Sequence, residues 1–537
     1  HYDDAGRSSY SIGPYPANTS AFIANPYLSG YCDFGIKGCP RRWTVYDDRG
    51  RLAAARKSIS QKYPWLVETA DTRYEYPDLR TVKITDPDGN VSHEFLDDIG
   101  RIIKKTDGSG SPVYYTYNAA GDVTSVTGPL GEKSKAAFTY DLRGMRTSMK
   151  GPAGDSWTYP FYDNKGNLLK ETGPSGETVS YTYDAMDRAT RMVYAKAGVQ
   201  TRTIDYTWDN PNVKNGKGRV YTSWHSDGIG YAYSYDAMGR VTREDKTMSL
   251  SPFSFPMNYS TSYGYDTAGR LDSITHPDGA VVYYDYVPGT QLISAVTLPR
   301  GQTAGFTYTA GKRIESSAYA NGTRTDYSYY PESSRLKTIS TTSSGGAPLQ
   351  GWEYTYYSSG DMKTKKDLAS NKTLTYSYDS VHRLLNESSS ADNDSYAYTY
   401  DPGGNMTGRA EKYQSYSYRY STERPYLLAN VLSGANSYAV TSDTSGNITG
   451  QPWLSLSPRR LASYTGEGTA DKIDYAGIEA ATVKFAYEPG GFRGARFKYN
   501  FKSATLKDWN HYISPDYTVD LFSKVTHFSA GDRKFAR

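Results

Sequence analysis

The stretch Tyr162-Asp163-Asn164-Lys165-Gly166-Asn167-Leu168, followed by the turn Gly173-Pro174-Ser175-Gly176-Glu177 and the run Thr178-Val179-Ser180-Tyr181-Thr182-Tyr183, contains one complete structural unit. In the first segment the Asp can accept a hydrogen bond from the backbone two residues on, and the Gly can take the positive φ that closes a tight turn. In the second, Pro presets the first corner and Gly closes a hairpin with a bulge. The run from Thr178 to Tyr183 alternates strictly, with Val179, Tyr181 and Tyr183 on one face and small polar groups on the other. That is strand periodicity in β-favouring residues, so the unit reads as one β-hairpin.

The same unit recurs along the chain. The motif Tyr-Asp-x-x-Gly-Arg/Asn, or a near copy, starts at Tyr2 and at Tyr46 (Asp47, Gly50, Arg51). It returns at Tyr140 (Asp141, Gly144), Tyr162 (Asp163, Gly166), Tyr235 (Asp236, Gly239, Arg240), Tyr265 (Asp266, Gly269, Arg270) and Tyr400 (Asp401, Gly404). Degraded copies start at Leu96, Tyr117, Tyr183, Tyr330, Tyr356, Tyr378 and, late in the chain, Tyr487. The steps from Tyr117 to Tyr140, Tyr162 and Tyr183 give a period of about 22 residues. Self-similarity at such a period signals a repeat architecture. The intervening turn also repeats, at Asp86-Pro87-Asp88-Gly89-Asn90, Gly128-Pro129-Leu130-Gly131-Glu132, His276-Pro277-Asp278-Gly279-Ala280 and Leu298-Pro299-Arg300-Gly301-Gln302.

Composition agrees. The chain holds 54 Tyr against 15 Phe and 8 Trp, so tyrosine supplies apolar area that aliphatics would otherwise provide. No stretch approaches the length of a membrane-spanning helix. With 61 Lys and Arg against 57 Asp and Glu, and no basic block, nucleic acid is a poor partner. The expected fold is all-β: about eighteen hairpins, on the order of 35 strands, in one antiparallel meander. A flat sheet of that width is not sustained, and right-handed twist must coil it into a spiral, a hollow shell or an open barrel. Tyrosines from equivalent strands would then form ladders along the coil. The motif Arg would cover neighbouring Tyr faces or pair with the Asp of the next turn.

These motifs resemble the YD repeats of the Rhs family, which occur also in the C components of Tc toxins and in teneurins. The resemblance implies a hollow β-shell. For bacterial members it implies a secreted or surface protein whose shell encloses a polypeptide cargo, a C-terminal toxic domain freed by an aspartyl autoprotease. For teneurins it implies an extracellular adhesion scaffold, which leaves adhesion, carbohydrate binding or a self-assembling filament as the rival reading. The family's Asp-Pro-x-Gly segment after the repeats has no counterpart here, since Asp401-Pro402-Gly403-Gly404 lies inside a repeat. The stretch from His511 to Ala536 is similar to the strands that precede that segment, so the chain is expected to be a piece of a longer polypeptide.

Three regions are expected: 1–95 with sparse repeats and a Pro/Gly-rich insertion, 96–445 as the regular spiral, and 446–537 as degenerate repeats at the end of the shell. Cys32 and Cys39 lie in the insertion. They either form a local disulfide or stay as two thiols, since close spacing does not fix the Cα separation. Asp86, Asp88, Asn90, Ser92, Glu94 and Asp97 have the spacing of a calcium loop, but Gly89 is misplaced for one and the segment matches the repeat's own turn. His93-Glu94 lacks the second His of a zinc helix. No nucleophile, cofactor or phosphate signature stands out, and most carboxylates occupy a fixed turn position, so the expected protein is a non-enzymatic container without a cofactor.

Overall fold

In the computed structural model, the residues described are 10–12, 41–63, 66–152, 154–249, 256–391 and 394–451. Beyond these come the strand segments 460–464, 470–475, 481–487, 493–500, 506–514, 517–520, 524–526, 528–530 and 533–536. They form 47 strands and one 3-10 turn, Gly131–Ser134. Strands from Tyr10–Ile12 to Asn436–Ala439 make one sheet of 36 members. Each strand pairs antiparallel with its sequence neighbour, as in Tyr265↔Leu271 and Ser273↔Tyr283. A second sheet of nine strands starts at Thr441–Ser442, and Phe528–Ala530 pairs with Arg533–Ala536 as a final hairpin. The expected single meander is thus interrupted between Ala439 and Thr441.

Both turns of the repeat have the same construction. In the first, Asp266 N–H donates to the Arg270 carbonyl and Gly269 N–H to the Asp266 carbonyl (both 2.9 Å). In the second, His276 N–H donates to Ala280 and Gly279 N–H to His276 (2.8 and 2.9 Å). Gly269 and Gly279 take φ of 81° and 84°, the left-handed corner of a bulged hairpin. The Tyr-Asp turn also shifts the strand register by one residue, for example between Gly264 and Tyr265 and between Asp285 and Tyr286. A bulge sharpens right-handed twist, so a bulge in every repeat coils the ribbon instead of letting it lie flat.

The two faces of the ribbon differ. One carries tyrosines and aliphatics, with a core of Ile274, Val282, Tyr284, Val296, Ala304 and Phe306 flanked by Tyr263, Tyr286 and Tyr308. The other carries hydroxyl pairs across strands, such as Thr139 with Thr147 (2.7 Å), Thr207 with Thr222 (2.6 Å) and Thr355 with Thr364 (2.6 Å). Alternation along each strand separates the two chemistries.

The two edges differ too. Tyr-Asp turns, including those at 47–50, 97–100, 266–269, 357–360 and 379–382, all close the same edge, and the Pro-x-Gly type turns close the other. This edge asymmetry decides how the coil meets itself.

Candidate functional site: the repeat clasp and the lap seam

The Tyr-Asp motif is a clasp between consecutive repeats. Asp266 Oδ1 accepts the N–H of Ala268 (2.9 Å) and of Arg270 (2.8 Å), while Oδ2 takes the Arg270 Nε (2.7 Å). The Arg270 guanidinium lies over the Tyr286 ring of the next repeat, 4.3 Å from its centre, and reaches the Thr290 carbonyl in the next turn (2.6 Å). The Tyr286 hydroxyl donates back to the carbonyl of Leu271, the residue after that Arg (2.7 Å). An ion pair within the motif therefore holds the Arg in place, and a cation–π contact and two hydrogen bonds to the backbone tie that motif to the next.

The pattern repeats. Arg51 covers Tyr76 at 3.9 Å, Arg240 covers Tyr265 at 4.3 Å and Arg383 covers Tyr400 at 4.8 Å. The hydroxyls of Tyr140, Tyr162, Tyr235, Tyr265 and Tyr400 donate to the carbonyls of Val123, Arg146, Val220, Val241 and Leu384. Where Asn replaces Arg, Asn167 and Asn405 bond Asp163 and Asp401 (2.9 and 2.8 Å) and reach Asp187 and the Pro425 carbonyl in the next turns. At Asp141 and Gly144 the following residue is Met145, and Arg143 binds the Asp instead (3.1 Å). Where the sequence suggested ring on ring, the motif Arg lies over the ring of the next repeat's tyrosine, while Tyr330 and Tyr356 meet edge to face with centroids 6.3 Å apart. The motif Arg pairs with the Asp of its own turn, as Arg51, Arg240 and Arg270 do with Asp47, Asp236 and Asp266, and Arg188 pairs both with Asp184 of its own turn and with Asp209 of the next. Cys32 and Cys39 lie outside the described residues, as do residues 1–9 with the first motif copy.

The clasp sets two expectations. Burial pushes the Asp47 and Asp236 carboxyls upward, but bonds from Arg51 and Arg240 outweigh it and leave both below the usual range. In Asp266 the Arg270 N–H is the largest influence and acts in the same lowering direction. A depressed carboxylate contributes stability above its unfolded value, near 3.9, and loses it as pH falls through the folded value. Acid titration by circular dichroism should therefore show the ribbon intact at pH 5 and weakening only below about pH 4. Separately, Tyr286→Phe should cost about 1 kcal/mol, the worth of one hydroxyl-to-carbonyl bond. Urea titration should show Tyr286→Phe, in an Arg270→Ala background, costing less than it does alone, because the two groups share one clasp.

The second feature is a seam where the coil overlaps itself. The Asp86–Asn90 turn of the first lap sits between the turns 357–361 and 379–383. Asp88 accepts the Ser359 N–H (3.2 Å), and Asp86 Oδ2 lies 3.0 Å from His382 Nε2. From Val91–Leu96 onward, 23 strands precede the first of these turns and 25 the second (strands 6 to 28 and 6 to 30 in chain order). Further along, Lys133 pairs with Glu423 at 3.1 Å, the Gly128 corner meets the Tyr426 hydroxyl, and Leu130 packs on Gly403. Gly108 lies so close to the Ser380 carbonyl that a Cβ there would collide with it, and Arg424 lies against Gly154. One lap is thus about 24 strands, the mean of those two counts, and the Pro-x-Gly edge of the first lap nests between the Tyr-Asp turns of the second. The sequence missed this seam because its partners are some 270 to 300 residues apart, as in Asp88–Ser359 (271) and Lys57–Ser359 (302).

Two titratable groupings stand out. At the seam, Asp88, Asp361 and His382 bring ligand-type atoms within 4.8 Å of one another. Within the first lap, Arg202, His225 and Lys246 are buried. His225 Nδ1 accepts the Asp227 N–H (3.1 Å), which places its proton on Nε2, and Arg202 Nε lies 3.6 Å from Asp227. Burial pushes the Asp227 carboxyl up, partly offset by Arg202. Lys246 lies 5.3 Å from the Tyr231 ring centre. These are packing partners of the sheet. Among the described residues, no helix is long and apolar enough to cross a membrane.

Comparison with known families decides the assignment. The family RHS Repeat matches residues 97–133, 117–156 and 162–199, and the family Teneurin YD-shell matches residues 212–439. The chain carries YD repeats of the Rhs and teneurin type. The YD-repeat coil is also similar to solved structures. It superposes on a crystal structure of TcdB2-TccC3-TEV with a TM-score of 0.79 at 16% identity, over 99% of this chain and 30% of that one. For a crystal structure of TcdB2-TccC3 the values are 0.78 and 17%, over 98% and 30%. For the Tc holotoxin pore of Photorhabdus luminescens with a TccC3 mutation they are 0.74 and 16%, over 91% and 27%. The chain therefore spans about 30% of the length of the structures it matches. At these identities the likeness is one of fold: an all-β shell of the YD type, not a closed barrel. No curated protein matches the sequence.

Proposed function

We propose that this YD-repeat chain forms part of the wall of a shell that encloses a polypeptide cargo, and that it does so without catalysing a reaction. The observation that supports this most is the lap seam: turns from strands about one circuit apart nest edge to edge, so the coil forms a wall instead of an open ribbon. Such a wall sequesters a chain by exclusion, with no specific contact required. In this reading residues 96–445 form the wall, 1–95 its irregular start and 446–537 its end. The cargo is a further part of the same polypeptide, in keeping with a span of about 30% of the matched structures. The polypeptide is exported or displayed at a bacterial surface, the setting that the family implies.

Limited proteolysis of the intact native polypeptide tests this. Its C-terminal region should resist protease at a temperature where the wall is folded, and be cut once urea opens the wall. Equal cleavage rates for that region inside and outside the polypeptide would refute enclosure.

A further inference from the structure

In the Tyr-Asp turns the left-handed corner belongs to glycine at Gly50, Gly100, Gly144, Gly239, Gly269 and Gly404, but in the turn 379–383 it is held by His382, with φ 65°. A side chain at this corner costs conformational energy that glycine avoids, and here it projects a ring into the seam. Nε2 lies 3.0 Å from Asp86 Oδ2 of the first lap, and Nδ1 lies 2.5 Å from Asp361 Oδ2 of the adjoining turn. Carboxylates only accept hydrogen bonds, so the ring can donate to both sides only as the imidazolium.

The surrounding charges complete the picture. From the first lap, Asp86, Asp88 and Lys57 face the ring's side of the seam; Lys57 Nζ donates to the Ser359 carbonyl (3.1 Å). From the second lap come Asp361 and Arg335, whose guanidinium donates to the carbonyls of Tyr357 and Ser358 (2.7 and 3.0 Å). In the ring's own turn, Asp379 is held by Arg383 (2.6 Å). Asp86, Asp88 and Asp361 thus stand against Lys57, Arg335 and a protonated His382, three charges of each sign.

We propose that His382 is a proton-operated latch on the lap seam. Protonated, it ties the Asp86 turn of one lap to the Asp361 turn of the next. Neutral, it can donate to one carboxylate only, and the seam carries an uncompensated negative charge. A divalent cation is the weaker occupant of this position, because Lys57 and Arg335 already supply counter-charge and oppose a further two positive charges. The latch stands on seam geometry alone and does not rest on the shell reading above.

Burial disfavours the charged ring, but Asp361 and Asp86 outweigh it and raise the His382 pKa. A raised histidine contributes fully below its unfolded value, near 6.5, and the contribution is lost as pH rises through the folded value. The seam is therefore tighter at mildly acid pH and looser at alkaline pH.

Hydrogen exchange of the full chain, read by mass spectrometry at pH 5.5 and 8.5 and corrected for intrinsic rates, tests the latch. The turns 86–90 and 357–361 should open roughly fivefold more often at pH 8.5, the upper range for a partly exposed charged pair. In His382→Asn, which keeps a residue tolerant of the left-handed corner, that step should vanish and opening should match the alkaline level at both values. The turn 266–270, remote from the seam, should show no step. A step that survives in His382→Asn, or one equally present at 266–270, overturns the proposal. So does seam protection that is insensitive to pH but removed by EDTA and restored by zinc.

Discussion

Replacing Phe306 with alanine is expected to cost about 3–5 kcal/mol, the range for emptying a buried phenyl site. Phe306 is 6% exposed and packs with Ile274, Val282, Tyr284, Val296 and Ala304, the core cluster on the tyrosine face. Neighbouring strands are held by hairpin pairing and cannot collapse to fill the void. The loss should also stay local, because a repeat array is stabilised by nearest-neighbour terms. Urea titration should show a lower midpoint, and hydrogen exchange should show strands from Leu271–Thr275 to Ile314–Ala318 opening first. Tyr413→Ala, at a side chain 88% exposed, should stay within about 0.5 kcal/mol. Equal losses at the two sites would mean that the tyrosine face is not the core.

The second large effect is expected at the seam. In Gly108→Val the new Cβ collides with the Ser380 carbonyl, a backbone atom that cannot swing aside. Overpacking of this kind costs about 1–3 kcal/mol. The cheapest relief is for the laps to separate at that turn. Gly110→Ala is the matched control. Gly110 has φ 80°, so a side chain strains the hairpin, but nothing lies within 4 Å of its Cβ and the seam is untouched. Both variants should lose thermal stability, whereas only Gly108→Val should raise hydrogen exchange in the turn 379–383. Exchange that rises there in Gly110→Ala as well would mean the two laps are not in register at Gly108.

The sequence and the structure agree most closely where the determinants are local. The Asp and Gly of each turn act over four residues, as Asp266 does with Ala268 and Arg270, so their spacing is visible in one repeat. The hairpins and the all-β meander follow from the same short-range pattern. The role of Arg270 spans two repeats, since it binds Asp266 behind and stacks on Tyr286 ahead; the sequence offered the Tyr face but set the paired Asp in the next turn, not in the Arg's own. The seam was not legible at all. It depends on the curvature accumulated over about 24 strands, and a small change in twist per bulge would bring different turns together. In the sequence His382 is only the residue that spoils a degraded copy starting at Tyr378. Its meaning appears when Asp86, 296 positions earlier (382 − 86), comes to lie beside it. The break between Ala439 and Thr441 was likewise unmarked, because the turn motif at Asp443 and Asn447 continues across it.

A single-particle reconstruction of the intact native polypeptide tests the central claim most directly. The YD-repeat ribbon should appear as a coil of about 24 strands per lap, with the Asp86 turn wedged between the turns at Asp361 and His382 and unassigned polypeptide density inside the wall. An uncoiled ribbon, or laps separated by solvent around an empty interior, would contradict it.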